Sequence, residues 1–386
     1  MPEPKIKRRG LVLVIPKAGS EVAEHFAHTF HLAEHVSRCA RTAVIVERVA
    51  GTPPSSHPDV ELKIQRFSDR GFVLRAVELL WLASGLRRKG LRAFFVRTSQ
   101  TAAVPLIVLR RLSGGRVLYW SCGELEKKRL RDIGLRAALQ GELPMRLAFR
   151  WADLVVTGTE SLAARYADTY GIPRRRIAVL PNEIDLEWFK PATEEERRRA
   201  RAELEVAEDE TLVLAVHRLS PVRRTRLYIP SVIEAVAKNH PRVRFLLAGG
   251  GPEEPLVRAA IAQSRASERI QMLGAVPHTR VRHLYAAADA FVMPSYTEGF
   301  PRVLLEAMAS GLPIASTDVG GAREILPPAY NGRLAHRDRA HELAAAIDEL
   351  LRTPELARNL AAEGNRWVRQ FDAPSVARRL TALASR

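Results

Sequence analysis

The sequence is poor in cysteine and has no long apolar run. Its 386 residues include two cysteines, Cys39 and Cys122. A disulfide framework and a cysteine-built zinc cluster are therefore excluded, and a reducing, cytosolic setting is expected. No apolar stretch reaches the roughly 18 to 20 residues that a membrane-spanning helix needs. The basic opening, Met1 to Gly10, is not followed by an apolar segment ending in a small-residue cleavage site. A secretory signal is thus not expected. No Gly-x-Gly-x-x-Gly turn follows a predicted strand, which disfavours a dinucleotide-dependent dehydrogenase. Zinc fingers, RNA-binding sheet motifs and aromatic-plus-basic repeats are missing too, so nucleic acid is not an expected partner.

What is present is charge of one sign. The net charge is +17, and residues 1–190 hold 32 Lys and Arg against 19 Asp and Glu. Residues 191–386 hold 28 against 24. A basic first half attracts polyanions, such as an acidic substrate or an anionic membrane face.

Short β-rich runs alternate with longer helical stretches, the pattern of parallel sheets with crossover helices. The first half predicts strands at Leu11–Ile15, Ala43–Val46, Arg92–Val96, Val117–Trp120, Leu154–Val156 and Ile177–Leu180, with helices such as Glu21–Arg38 and Ser161–Tyr170. Residues 191–210 are highly charged and read as an exposed linker helix. Alternation restarts with Leu212–Val216, Val243–Ala248, Ile270–Leu273, Ala290–Met293 and Ile314–Ser316. Each is a short apolar run, as expected of strands buried on both faces. The fold class is α/β, with two doubly wound domains at 1–190 and 211–370. A C-terminal helix at 371–386 is expected to return to the first domain. In such sheets ligands bind beyond the carboxyl ends of the strands, which points to a cleft between the domains.

The densest chemistry lies between Met293 and Gly321. A strand ends near Met293, a loop carries Glu298-Gly299-Phe300-Pro301, and a helix begins near Arg302. Unpaired N–H groups and the dipole at a helix start favour an anion. Glu306 sits among Val303, Leu304, Leu305, Ala307 and Met308, where a charge needs a partner. Two readings stand: a carboxylate that accepts both hydroxyls of a sugar diol, or a structural ion pair. His217-Arg218-Leu219-Ser220-Pro221-Val222-Arg223-Arg224 follows a strand directly. Its arginines offer forked donors to a diphosphate, or form a solvated basic loop. Gly249-Gly250-Gly251-Pro252 is a strand-to-helix turn and a weaker phosphate signal.

Together these motifs resemble the retaining family 4 glycosyltransferases, which have the GT-B fold. Glu298 and Glu306 match that family's two glutamates seven residues apart. Arg218 matches its arginine after the first strand of the second domain, and Gly250 stands where the family often has Asp. Leu273-Gly274 to Pro277, Leu284 to Asp289 and Pro181-Asn182-Glu183-Ile184-Asp185 match further family turns. The resemblance implies two Rossmann-like domains facing a central cleft, the first binding acceptor and the second a nucleotide sugar. It implies that Glu306 holds the donor ribose, that Arg218 and Arg223 neutralise the diphosphate, and that Glu298 contacts or orients the sugar. Gly299, Phe300, Pro301 and Arg302 would line the sugar and phosphate, Val276 and Gly250 the nucleotide side. Gly19 and Ser20 would lie near phosphate or acceptor from the first domain. The implied substrates are a UDP- or GDP-hexose and a glycan or lipid-linked acceptor of cell-envelope or exopolysaccharide synthesis. No metal and no cofactor are implied, because arginines and helix N-termini replace a divalent cation.

There are departures from the family pattern. Arg223-Arg224 replaces Lys-Gly, and His217 replaces a frequent glycine. The family's histidine after the fourth strand is missing, leaving Ser121, Cys122 or Glu124 to meet sugar or acceptor. That loss keeps two alternatives in view, a non-catalytic GT-B binding protein and a UDP-N-acetylhexosamine epimerase. His28, His31 and His35 share a helix face, but no further ligand set accompanies them, so metal is not expected. Residues 127–149 mix basic and apolar side chains, as either a peripheral membrane-surface segment or an ordinary packed helix.

Overall fold

A computed structural model describes residues 10–19, 27–54, 57–123 and 138–385. Ser20, His25, Glu124 and the stretch 127–137 lie outside the described residues. The chain forms two compact units, residues 1–183 with 373–386, and residues 184–372.

The first unit is built on a parallel sheet ordered β3-β2-β1-β4-β5-β6-β7. These strands are β1 (Gly10–Ile15), β2 (Thr42–Val46), β3 (Val60–Ile64), β4 (Leu91–Arg97), β5 (Arg116–Trp120), β6 (Leu154–Thr157) and β7 (Ile177–Val179). Every residue of β1 and β2 is buried, as both faces of a parallel sheet are covered by crossover helices. One face packs under α2 (Phe72–Arg88), α3 (Gln100–Ser113), α4 (Leu143–Trp151) and α5 (Glu160–Tyr170), with Leu79, Leu106, Phe149 and Tyr166 in the core. The other packs under α1 (Ala27–Ser37) and the last helix of the chain, Ala373–Ser385. β3 adds a strand that the apolar pattern did not show. It is the sheet edge, only Val60 is buried, and its half-buried Glu61 pairs with Lys63 and Lys89. The stretch after Trp120 therefore follows the fifth strand rather than the fourth.

The second unit holds a five-stranded parallel sheet ordered β10-β9-β8-β11-β12. Its strands are β8 (Thr211–Val216), β9 (Val243–Ala248), β10 (Ile270–Gly274), β11 (Ala290–Met293) and β12 (Ile314–Ser316). The segment expected as an exposed linker is instead part of this unit. Within it α6 (Glu194–Glu203) starts at a capping box, with Thr193 and Glu196 bonding reciprocally. Two of its arginines turn inward, Arg197 reaching Asp289 at 2.6 Å and Arg201 at 3.1 Å, while Arg198 and Arg199 stay exposed. The outer face keeps the solvated charge that the sequence suggests, and the inner face spends its two arginines on Asp289. The remaining helices are α7 (Thr225–Asn239), α8 (Glu254–Ala262), α9 (His278–Ala287), α10 (Arg302–Ala309), α11 (Ala322–Ile325), α12 (Ala340–Arg352), α13 (Pro354–Trp367) and α14 (Ala373–Ser385), which belongs to the first unit. Among the described residues no helix is long and apolar enough to cross a membrane.

Candidate active site

The five strands of the second sheet are parallel, so the loops that leave their carboxyl ends gather along one edge. These loops carry His217 to Arg224, Gly249 to Pro252, Ala275 to Pro277, Pro294 to Pro301 and Thr317 to Gly321. Backbone bonds tie them together. Leu219 N–H donates to Gly250 O at 3.0 Å, Gly249 N–H to Gly274 O at 2.7 Å, and Tyr296 N–H to Arg223 O at 3.0 Å.

Glu298 is the centre of the largest polar network here. It is 7% exposed. One carboxylate oxygen accepts from Arg223 Nη2 at 2.9 Å and the other from Ser295 Oγ at 2.8 Å. Burial pushes its carboxyl above the ordinary range, against the pull of Arg223 and Ser295. Gly320 lies directly behind it, with φ at +59°, and a Cβ there would fall 2.4 Å from Glu298 Cβ. Only glycine fits that left-handed position under the carboxylate.

His217 continues the network inward. Its Nε2 lies 3.1 Å from Thr225 Oγ1 and its Nδ1 3.5 Å from Ser295 Oγ. Full burial, helped by the Arg223 charge, lowers its pKa to about 3, so the ring is neutral. The contacts fit one ordering: Thr225 O–H donates to Nε2, Nδ1–H to Ser295, and Ser295 O–H to Glu298. Arg224, the left-handed residue before α7, places its guanidinium 3.8 Å over the Tyr296 ring, and Arg337 lies 4.9 Å from the same ring. Arg218 is exposed on the strand-end loop.

Glu306 is 8% exposed on the second turn of α10. Its partner is Tyr285 on α9, whose hydroxyl donates to Oε2 at 3.0 Å. Burial and the Glu306 carboxylate hold that hydroxyl well above its ordinary pKa, so it stays a donor. His278, at the start of α9, has its pKa lowered by burial and is pulled back upward by Glu306. Val276 is half-buried just before that helix. Gly299, Phe300 and Pro301 form the turn into α10, and Arg302 is its first residue. Arg302 Nε is buried without a hydrogen-bond partner among the described residues. Glu298, Glu306, Arg218, Arg223, Gly250, Val276 and residues 299–302 thus share one sheet edge.

The remaining candidates belong to the first unit. Gly19 ends the β1 loop at φ +119°, and a Cβ there would meet Ala50 O at 2.2 Å. Ser121 and Cys122 follow β5. Tyr166 Oη lies 3.3 Å from Ser121 Oγ, donates to Gly123 O at 2.9 Å, and accepts from Gly123 N–H at 3.2 Å. Burial raises that phenol to about 12. His31 and His35 bond each other at 3.2 Å, and His28 faces Glu183 at 3.9 Å. Among the described residues no group of three His, Cys, Asp or Glu is placed to hold a metal ion.

Sequence reasoning missed Ser295 and Tyr285 as partners of the two glutamates. Ser295 had a local signal, three residues before Glu298. Tyr285 had none, since 21 residues separate it from Glu306.

Comparison with known proteins follows the same division. Residues 196–367 match the model of the glycosyl transferases group 1, and residues 27–188 match that of Glycosyltransferase Family 4. A D-inositol 3-phosphate glycosyltransferase of Nocardia farcinica is 34% identical over 206 residues, 52% of this chain and 44% of that protein. Its counterpart in Mycobacterium bovis is 34% identical over 207 residues, 52% of this chain and 41% of that protein. The match thus spans less than half the length of these curated relatives. Among solved structures, sucrose-phosphate synthase from Thermosynechococcus elongatus superposes with a TM-score of 0.77 at 20% identity, covering 97% of this chain and 98% of that one. Anabaena Alr3699/HepE, solved with UDP and glucose, gives 0.73 at 18% identity, covering 98% and 99%. With both halves of the chain matched and the two parallel sheets in place, the protein belongs to the family 4 glycosyltransferases and has the GT-B fold.

Proposed function

We propose that this protein is a retaining glycosyltransferase moving a hexose from a UDP- or GDP-sugar to a hydroxyl of a glycan or lipid-linked acceptor. Cell-envelope or exopolysaccharide assembly is the setting that fits. The observation that carries the reading is the single sheet edge holding a buried Arg223–Glu298–Ser295 network and the half-satisfied carboxylate of Glu306.

The donor binds along that edge. Glu306 accepts the ribose hydroxyls while Tyr285 fixes its rotamer. The loop with Val276 faces the base and Gly250 the nucleotide. Arg218 and Arg223 take the diphosphate, with N–H groups from Gly299 and Phe300 and the dipole of α10. Glu298 meets the sugar. The acceptor O–H attacks the anomeric carbon from the side of the departing diphosphate. The C1–O bond to phosphate breaks, and the acceptor proton passes to the leaving phosphate oxygen. The cationic and N–H donors stabilise the charge that forms on it, the role a divalent cation has elsewhere. Gly19, Ser121 and Cys122 belong to the unit that takes the acceptor. A lipid-linked acceptor brings the protein to the anionic cytoplasmic face of a membrane.

The test is nucleotide release from a panel of UDP-, GDP- and ADP-hexoses with a sugar acceptor series. We expect turnover with a UDP- or GDP-sugar, and a loss of about 10- to 100-fold in kcat/KM in Glu306→Ala, the scale of one hydrogen bond to a charged group. Equal donor binding by parent and variant would remove Glu306 from the site. Donor binding without release with any acceptor would favour a binding protein, and donor conversion without acceptor an epimerase.

A further inference from the structure

α2 carries an outward face that its own unit leaves bare. Its exposed positions before Arg88 are Phe72, Val73, Leu74, Val77 and Trp81, all apolar. Val73, Val77 and Trp81 recur every four residues, one above another on one stripe, and are 71%, 59% and 70% exposed. The charges along the length of the stripe are engaged elsewhere. Glu78 is buried and accepts from the Arg66 and Phe67 N–H groups, and Arg75 is paired with Glu47. α3 packs beside α2 on the same side of the sheet and adds Leu112, 81% exposed. No described residue covers this face. A folded protein seldom leaves so continuous an apolar stripe without a use.

The charge around the stripe selects the occupant. No acidic residue occurs between Glu78 and Glu124, whereas eight basic ones do. Arg87 and Arg97 among them are buried and Arg110 is paired with Asp153, which leaves Arg88, Arg92 and Arg111 as exposed basic residues of this stretch. Arg88 and Arg111 are exposed at the ends of α2 and α3, and Lys89, next to Arg88, is paired with Glu61 at 2.7 Å. The whole first unit holds 34 Lys and Arg against 17 Asp and Glu, and the second unit 26 against 26. A second copy of this unit would be repelled. An anionic bilayer would not: basic side chains attract its headgroups, and an exposed Trp beside aliphatic residues seats in the interfacial layer.

We propose that the α2–α3 face of the first unit is a peripheral docking surface for an anionic lipid bilayer, with Trp81, Val77 and Val73 inserted and the flanking basic residues on the headgroups. This deepens the membrane-surface reading above and rests on it, but it is independent of the donor site. It places the inserted residues in α2 rather than in 127–149.

The experiment is co-sedimentation of the full chain with vesicles of phosphatidylcholine alone and of phosphatidylcholine with one third phosphatidylglycerol. We expect recovery with the anionic vesicles at least about fivefold over the neutral ones, falling as salt is raised. Trp81→Glu should lose most of that recovery while melting like the parent. Leu227→Glu, at a 60% exposed site in the second unit, should keep it. Trp81→Ser serves if the glutamate variant does not fold. If the parent ignores anionic vesicles, the membrane reading and the surface fall together. If it binds and Trp81→Glu binds equally, the membrane reading stands and this surface is wrong. A parent dimer that Trp81→Glu splits, measured by light scattering, would assign the face to a second copy and overturn the proposal. Nucleotide release with a soluble acceptor should be unchanged in Trp81→Glu, which keeps the transferase reading apart from this one.

Discussion

A neutral histidine under a charged pair sets the pH behaviour of the second unit. Folded His217 stays unprotonated down to about 3, against an ordinary value of 6.5. Between those values the unfolded chain binds the proton and the folded one does not, so stability is full above 6.5 and falls as pH drops. Lowering pH from 7.5 to 5.0 should cost about 2 kcal/mol through this group, at about 1.4 kcal/mol per unit below 6.5. Urea unfolding of His217→Asn should show a pH-dependent loss smaller by that amount. The same slope in parent and variant would mean that the ring is not buried neutral. Glu298 acts in the opposite sense, since burial raises its carboxyl and ionisation costs stability as pH rises through its raised value. The sequence flagged His217 as a departure from glycine, and it exposed Glu306 as a carboxylate in need of a partner. It could not supply the partners. Thr225, Ser295 and Tyr285 meet them only after β8, β11 and α9 have been placed side by side. The Arg224–Tyr296–Arg337 stack was hidden for the same reason.

The elements were legible where both faces are buried. β1, β2 and β8 read as apolar runs because parallel strands under helices have no polar face to show. β3 was illegible because an edge strand needs only one buried residue to hold its register. α6 reads as a helix from the sequence, but its charges do not show which unit it joins. Asp289 explains the difference: it accepts from Arg197, Arg201 and the Leu212 N–H at 2.8 Å, and so locks α6 to the first residues of β8. Its side chain is about one-third exposed, so water screens part of the gain. Asp289→Ala should therefore cost about 1–2 kcal/mol in urea unfolding. It should also speed amide exchange in Glu194–Glu203 ahead of the rest of the unit. Unchanged exchange there would restore the picture of a free linker helix.

At the scale of the molecule, the chain leaves its first unit at Glu183 and re-enters it at Ala373. The first unit is therefore completed only by a segment that follows the whole of the second. α14 buries Val376, Ala377, Leu380 and Ala384 against the sheet, where they join Leu13, Val44 and Phe95 in one core. Arg379 adds a bond to Val179 O at 3.2 Å. A helix at 371–386 returning to the first domain is expected from the sequence, but apolar residues at 376, 377, 380 and 384 alone do not say which face of the sheet it covers. Removing residues 373–386 uncovers one face of the first sheet. Full burial of a Val and a Leu with two alanines is worth on the order of 5 kcal/mol, much of an ordinary domain's margin. Amide exchange followed by mass spectrometry should then show β1, β2 and β4 losing protection in the truncated chain. β8, β9 and β11 should keep theirs, since no core residue of the second unit comes from the deleted segment. Equal loss in both units would mean that they unfold as one cooperative body, and no loss in either would mean that α14 is an ornament on a sheet already complete.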